Sequence, residues 1–178
     1  MLKKILGVKS DMNIGVQENK SNVNIRTIDY YKISSNLLRD ITNIMKSELD
    51  ESKLHIENIP EKKLNNVVNI YNIDKSKIVA LYDTTVFKSG KDGLLLGNDF
   101  IGLKHAFEQA NIIKFDELVK GRINIEEKIL EINNNIVQLQ SNDFKNVLEK
   151  IKELLILSDS YLQSIYQKHV TKKLNEIK

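Results

Sequence analysis

The chain predicts an α+β fold: an antiparallel β-sheet backed by an amphipathic helix and preceded by helical segments. Three observations predict it. The apolar period switches from helical to extended after Asp74, glycines at 90, 93 and 97 then punctuate short apolar runs, and Phe144 to Leu155 returns to helical spacing.

The elements follow in order. Residues 10–26 are polar and Asn-rich with isolated Ile and Val, and fit neither period; residues 1–29 read as a weakly ordered leader. From Tyr30 to Leu49, the residues Ile33, Leu37, Leu38, Ile41, Ile44, Met45 and Leu49 recur at three- and four-residue steps, so one helical face is apolar. Pro60, the only proline, suits a helix start because its missing N–H falls where no intrahelical bond is required; Leu64, Val67, Val68 and Tyr71 then line one side of a helix ending near Tyr71.

Ile78 to Tyr82 is a run of strand formers. Lys88 to Gly93 and Gly97 to Asp99 are turns whose glycines can take positive φ, and Leu94 to Leu96 with Phe100 to Lys104 form the arms of a hairpin. Ile112 to Phe115 predicts another strand. Arg122 to Ile132 predicts strand pairing with a bulge near Glu126 and Glu127, where the alternation slips. Asn133 to Asn135 is a turn, since Asn tolerates left-handed backbone, and Ile136 to Leu139 returns antiparallel. Ser141 caps the strongest amphipathic helix, with Asp143 in its first turn complementing the dipole. Ser158 and Asp159 break the pattern before a weaker stripe from Tyr161 to Leu174.

Composition narrows function. Apolar residues are 41% and charged residues 29%, the balance of a folding chain rather than a disordered one. Twenty-seven basic against 24 acidic residues leave a net charge of +3, so no large single-sign field points to nucleic acid. The absence of cysteine removes disulfides, thiolate metal sites and a thiol nucleophile, and suits a reducing cytoplasm. The apolar run in MLKKILGVKSDMN is too short for a signal peptide or a spanning helix. The expected localisation is cytoplasmic.

The segments IPEKKLNNVVNIYNI (Ile59 to Ile73), KIVALYDTTVFKSGKDGLLLGNDFIGLK (Lys77 to Lys104), NIIKFDEL (Asn111 to Leu118) and INNNIVQLQSNDFKNVLEKIKELL (Ile132 to Leu155) together resemble the bacterial pleckstrin-homology-like domains. The Tyr82-Asp83-Thr84-Thr85 and Lys91-Asp92-Gly93 blocks carry most of the likeness; Lys88 and Gly97 depart from it, where a small residue and a threonine are usual. The resemblance implies a bent antiparallel β-barrel or sandwich capped by the C-terminal amphipathic helix. It implies binding rather than catalysis, with no catalytic residues and no cofactor. The domain reading is then a helical extension over 30–55, the pleckstrin-homology-like core over 56–157 and a helical tail over 158–178.

Candidate sites follow. Asp83, after IVALY, sits where a phosphatase of the haloacid dehalogenase type places its nucleophile, but such magnesium chemistry needs a second carboxylate two residues on, and Thr85 stands there. No βαβ alternation follows either, and a turn-forming Asp accounts for the residue without catalysis. The loop around Gly90 is no Walker loop, because Val86 and Asp92 occupy the places of its first glycine and its hydroxyl residue. Lys88, Lys91 and Lys104 could converge on an anionic headgroup, since eukaryotic pleckstrin-homology domains use lysines near their first hairpin; three lysines near a loop are also ordinary solvated charge. His55, His105 and His169 lie in separate elements without metal-ligand spacing. The predicted function is a cytoplasmic, non-enzymatic adaptor acting through protein contacts. Peripheral binding of anionic membrane through the basic loop is the first alternative, and a phosphatase with Asp83 as nucleophile the second. The apolar face of the 30–49 helix predicts packing within the chain or a homo-oligomer contact.

Overall fold

A computed structural model describes residues 33–124, 126–139 and 141–177. The leader expected over 1–29 and the first residues of the expected 30–49 helix lie outside them. Among the described residues there are five α-helices and two antiparallel sheets.

Helix α1 (Ser35–Glu48) starts where the Ser34 hydroxyl accepts from the Leu37 N–H. Its stripe of Leu37, Ile41 and Met45 is buried against α4 (Asn142–Ser158) and β1 (Leu54–Ile56). Of the two expectations for this face, packing within the chain accounts for these three residues. Helix α2 (Glu61–Tyr71) begins after Pro60 and ends at Asn72 in left-handed backbone.

Strands β1, β2 (Ile78–Asp83), β3 (Gly93–Gly97), β4 (Phe100–Lys104) and β5 (Asn111–Lys114) form a five-stranded sheet in chain order. Its central strands are buried on both faces. Ala80, Tyr82, Leu94, Leu96, Ile101 and Leu103 join the main core, whereas Leu81, Leu95 and Phe100 pack with Val67 and Tyr71 of α2 on the other side. Two-sided burial explains why IVALY and GLLLG read as continuous apolar runs instead of alternating. Gly102 leaves room for the Tyr71 ring: a Cβ there would stand 2.7 Å from Tyr71 Cε1.

The strand expected over Ile112 to Phe115 is β5, and helix α3 (Phe115–Lys120) follows it directly. Phe115, Leu118 and Val119 bury one helical face, and Glu117 accepts from the Lys114 N–H at 2.9 Å to stop the strand. The pairing within 122–132 is a hairpin, β6 (Arg122–Asn124) and β7 (Ile129–Ile132), and Glu126 to Lys128 form its turn instead of a bulge. Asn124 Oδ1 accepts from the Glu126 N–H at 3.1 Å, a local alternative to ladder bonds. Strand β8 (Asn135–Gln138) completes the second sheet in the order β6-β7-β8. The expected barrel is likewise not closed. Helix α3 lies between β5 and β6, so the strands divide into two sheets.

Helix α4, capped by Ser141, supplies Phe144, Val147, Leu148, Ile151 and Leu155 to one core shared with both sheets and α1. Each such side chain contributes about 1.5–3 kcal/mol by leaving water, so α4 is the largest single contributor to the core. Helix α5 (Ser160–Glu176) is capped by Asp159 and packs on α3 and α4, with Leu162 fully buried.

Gly102→Ala should lower unfolding stability by about 1–3 kcal/mol through overpacking against Tyr71. Urea denaturation monitored by circular dichroism checks this, and pairing the change with Tyr71→Leu should restore part of the loss.

Candidate functional site

The sequence makes Asp83 the last residue of β2, and the nine residues that follow must cross to Gly93, its partner in the register. Asp83 is buried, its side chain 1% exposed. Its Oδ2 faces the Lys63 ammonium at 2.8 Å and accepts from the Gly90 N–H at 3.0 Å. Its Oδ1 accepts from the Thr85 N–H at 2.9 Å and from the Thr85 hydroxyl. The carboxylate thus holds both flanks of the loop. The Thr85 oxygen in turn accepts from the Ser89 N–H at 2.7 Å, and Asn66 of α2 donates to the Ser89 carbonyl at 2.8 Å. Gly90, at φ +73, lies so close to α2 that a Cβ would come within 2.8 Å of Lys63 Cβ.

Lys63 also donates to Nε2 of His55 on β1 at 2.8 Å, which requires a neutral imidazole with that nitrogen unprotonated. Burial lowers the His55 pKa, and the Lys63 charge lowers it further against the opposing pull of Asp83. For Asp83, burial pushes the pKa up, but the Lys63 and Thr85 hydrogen bonds together with the Lys63 charge outweigh it and hold the carboxyl below its ordinary range.

Asp83 does not have the geometry of a nucleophile. Both of its oxygens are engaged and hidden from solvent, so an attack on phosphorus would first have to break the loop. Among the described residues there is no group of three or more acidic or histidine side chains that could hold a metal ion. What the carboxylate does is tie the two flanks of the 84–92 loop to each other and to α2.

The tip of that loop is apolar and uncovered: Val86 is 90% and Phe87 93% exposed. Antiparallel register puts the β4–β5 loop beside it, because Gly93 pairs with both Asp83 and Lys104. That second loop presents Phe107, also fully exposed. His105 anchors it, donating from Nε2 to the Gln138 carbonyl at 2.6 Å and stacking on Phe144. Three large apolar side chains therefore share one end of the five-stranded sheet.

The three predicted lysines are not equivalent. Lys88 and Lys91 are exposed at this end. Lys104 is mostly buried, paired with Asp92 at 3.1 Å and donating to the His105 carbonyl. Lys88 instead joins Lys53 and Lys63 around a cleft of about 260 Å³, with the hydroxyl residues Ser52, Thr84 and Thr85. Sequence reasoning missed Lys63, and weighed His55 only as a metal ligand without foreseeing its contact with Lys63. The signal for Lys63 was its place four residues before Val67 and eight before Tyr71, on the apolar face of α2.

No family model matches the chain, and no curated protein or solved structure matches it significantly.

Asp83→Asn and Lys63→Met should each destabilise by about 3–5 kcal/mol, because each leaves a buried group without its partner. Combining them should cost less than the sum, measured by urea denaturation as a double-mutant cycle. The sign with pH follows from the lowered Asp83 pKa. Its contribution is complete above the ordinary carboxylate range and is lost as pH falls through the folded value, so acid should destabilise the parent chain more steeply than Asp83→Asn.

Proposed function

We propose that this chain is a non-enzymatic binding module with a pleckstrin-homology-like core, acting through protein contacts at the loop end of the five-stranded sheet. The observation that carries the reading is the trio Val86, Phe87 and Phe107, held in solvent by loops tied down with a buried carboxylate and a buried histidine. Apolar side chains in water cost free energy that a partner's pocket would recover, and a preorganised loop loses little entropy on docking. Strands β2 to β5, then β6 to β8, then α4 give seven antiparallel strands followed by a helix. That order supports a pleckstrin-homology-like sandwich, with α1, α2 and β1 as additions to it. Among the described residues no helix is long and apolar enough to cross a membrane.

A second reading is favoured by the cleft beside Val86. Three lysines and three hydroxyl residues line it against the single, already satisfied carboxylate of Asp83, a composition suited to a phosphate headgroup at an anionic membrane, with Val86 and Phe87 entering the interface.

Phe87→Ser with Phe107→Ser should leave the unfolding midpoint unchanged and abolish capture of partner proteins from a lysate of the source cell. Equal capture by parent and variant would sink the protein-contact reading. Co-sedimentation with phosphatidylcholine vesicles, with and without phosphatidylserine, separates the second. Binding that rises with acidic lipid and falls in Lys53→Gln, Lys88→Gln supports it, and indifference to lipid charge removes it.

A further inference from the structure

We infer that the groove between α3, β6, α4 and α5 is a binding site for a small amphiphilic anion, a phosphate or carboxylate carried on a short apolar chain. The groove lies on elements that the loop-end reading does not use. It is an open groove of about 520 Å³ and continues into a second concavity of about 460 Å³ that shares Lys120, Gly121, Arg122, His169 and Lys173 with it. Both volumes fall in the range of ligand pockets, about 300–1,000 Å³.

Charge sets the first half of the ligand. Helix α3 brings Lys120, which Asp116 holds at 3.2 Å, and β6 brings Arg122. Helix α5 brings His169 and Lys173, and α4 brings Lys152, which donates to the Gly121 carbonyl beside the Tyr166 ring. Neither Arg122 nor Lys173 has an ion-pair partner among the described residues. The opposing carboxylates are Glu149 and Glu153 on α4, Glu117 and Glu131 around the second concavity, and Glu176 beyond Lys173. Glu117 is already committed, accepting from the Lys114 N–H and from Asn133.

At His169 the balance is positive. Burial lowers its pKa, the charges of Lys173, Lys120 and Lys152 lower it further, and Glu176 opposes them. Cations from four elements that repel one another around a concavity are relieved by an anion placed among them. Chain topology brings them together: Gly121 turns directly from α3 into β6, and α5 folds back over both α3 and α4.

The wall sets the other half. Ile123, Ile156, Leu157 and the Tyr166 ring line the same groove, and Leu157 is 71% exposed. A bare inorganic anion would leave that wall wet. A short alkyl chain behind the anionic head would cover it.

Hexyl phosphate, inorganic phosphate and hexanol are the probes, titrated into the full chain while the His169 ring is followed by NMR. Hexyl phosphate should raise the His169 pKa saturably, and it should bind about tenfold more tightly than inorganic phosphate. Corrected for the phosphate's own second ionisation, which falls in the same pH range, its affinity should increase as pH falls through the His169 titration, since the imidazolium adds a charge facing the anion. Arg122→Gln with Lys173→Gln should weaken binding by about tenfold or more at an unchanged unfolding midpoint, and Lys173→Gln alone serves if the pair perturbs folding. A His169 pKa indifferent to hexyl phosphate, or equal binding by the Gln variants, overturns the site. Hexanol binding as tightly as hexyl phosphate overturns the role of charge, and inorganic phosphate binding as tightly overturns the role of the apolar wall. Phe87→Ser with Phe107→Ser should leave all these titrations unchanged, so the groove and the loop end fail or stand separately.

Discussion

A lysine and an aspartate buried together under a loop are the constraint on which the exposed end of the sheet depends. Lys63 reaches from α2 and Asp83 from the end of β2, and their contact fixes how the helix sits on the outer face of the sheet. Removing two charges from water is costly, and the pair is tolerable because every remaining acceptor position of Asp83 is filled by the loop it organises. Thr85, Gly90 and, through Thr85, Ser89 all take their positions from that carboxylate. Structure here runs from a charge outward to a backbone.

For the proposed binding surface the consequence is mechanical. A loop of nine residues containing a glycine would ordinarily sample many conformations, and an apolar tip on it would tend to collapse onto the nearest core. Here the loop is held at both flanks, and Val86 and Phe87 stand in water. Phe107 is kept beside them by a different device, the His105 bond to the β8 carbonyl at Gln138. The second sheet and α4 thereby matter to the same surface, because Gln138 and Phe144 position the histidine.

Helices α3, α4 and α5 border a separate, open concavity. Helix α5 buries Leu162 fully but leaves Tyr166 and His169 half-buried along the groove, and Lys173 exposed beyond them. A helix attached through a narrow apolar contact and flanked by cations differs from α4, whose buried face is continuous over its length.

Much of this was legible in the residues themselves. The helical stripes of α1 and α4, the proline at the start of α2, the β3–β4 hairpin and the Asn133-Asn134 turn are local facts, decided by side-chain period and by backbone preferences that act within a few residues. The Asp83 turn with Thr85 is local too. What the sequence could not decide was anything that required two distant segments to meet. Helix α3 escaped the sequence reading because six residues are too few to show a helical period, and it forms where Phe115, Leu118 and Val119 bury together. The fate of Asp83 turned on Lys63, twenty residues earlier on another element. Lys88, Lys91 and Lys104 are alike as letters but differ because Asp92 claims only the last. Sequence alone determined periodicity, caps and turns, since these are short-range; only the tertiary structure decided which charges are paired and which apolar side chains stay exposed, because burial and ion pairing belong to the packed chain.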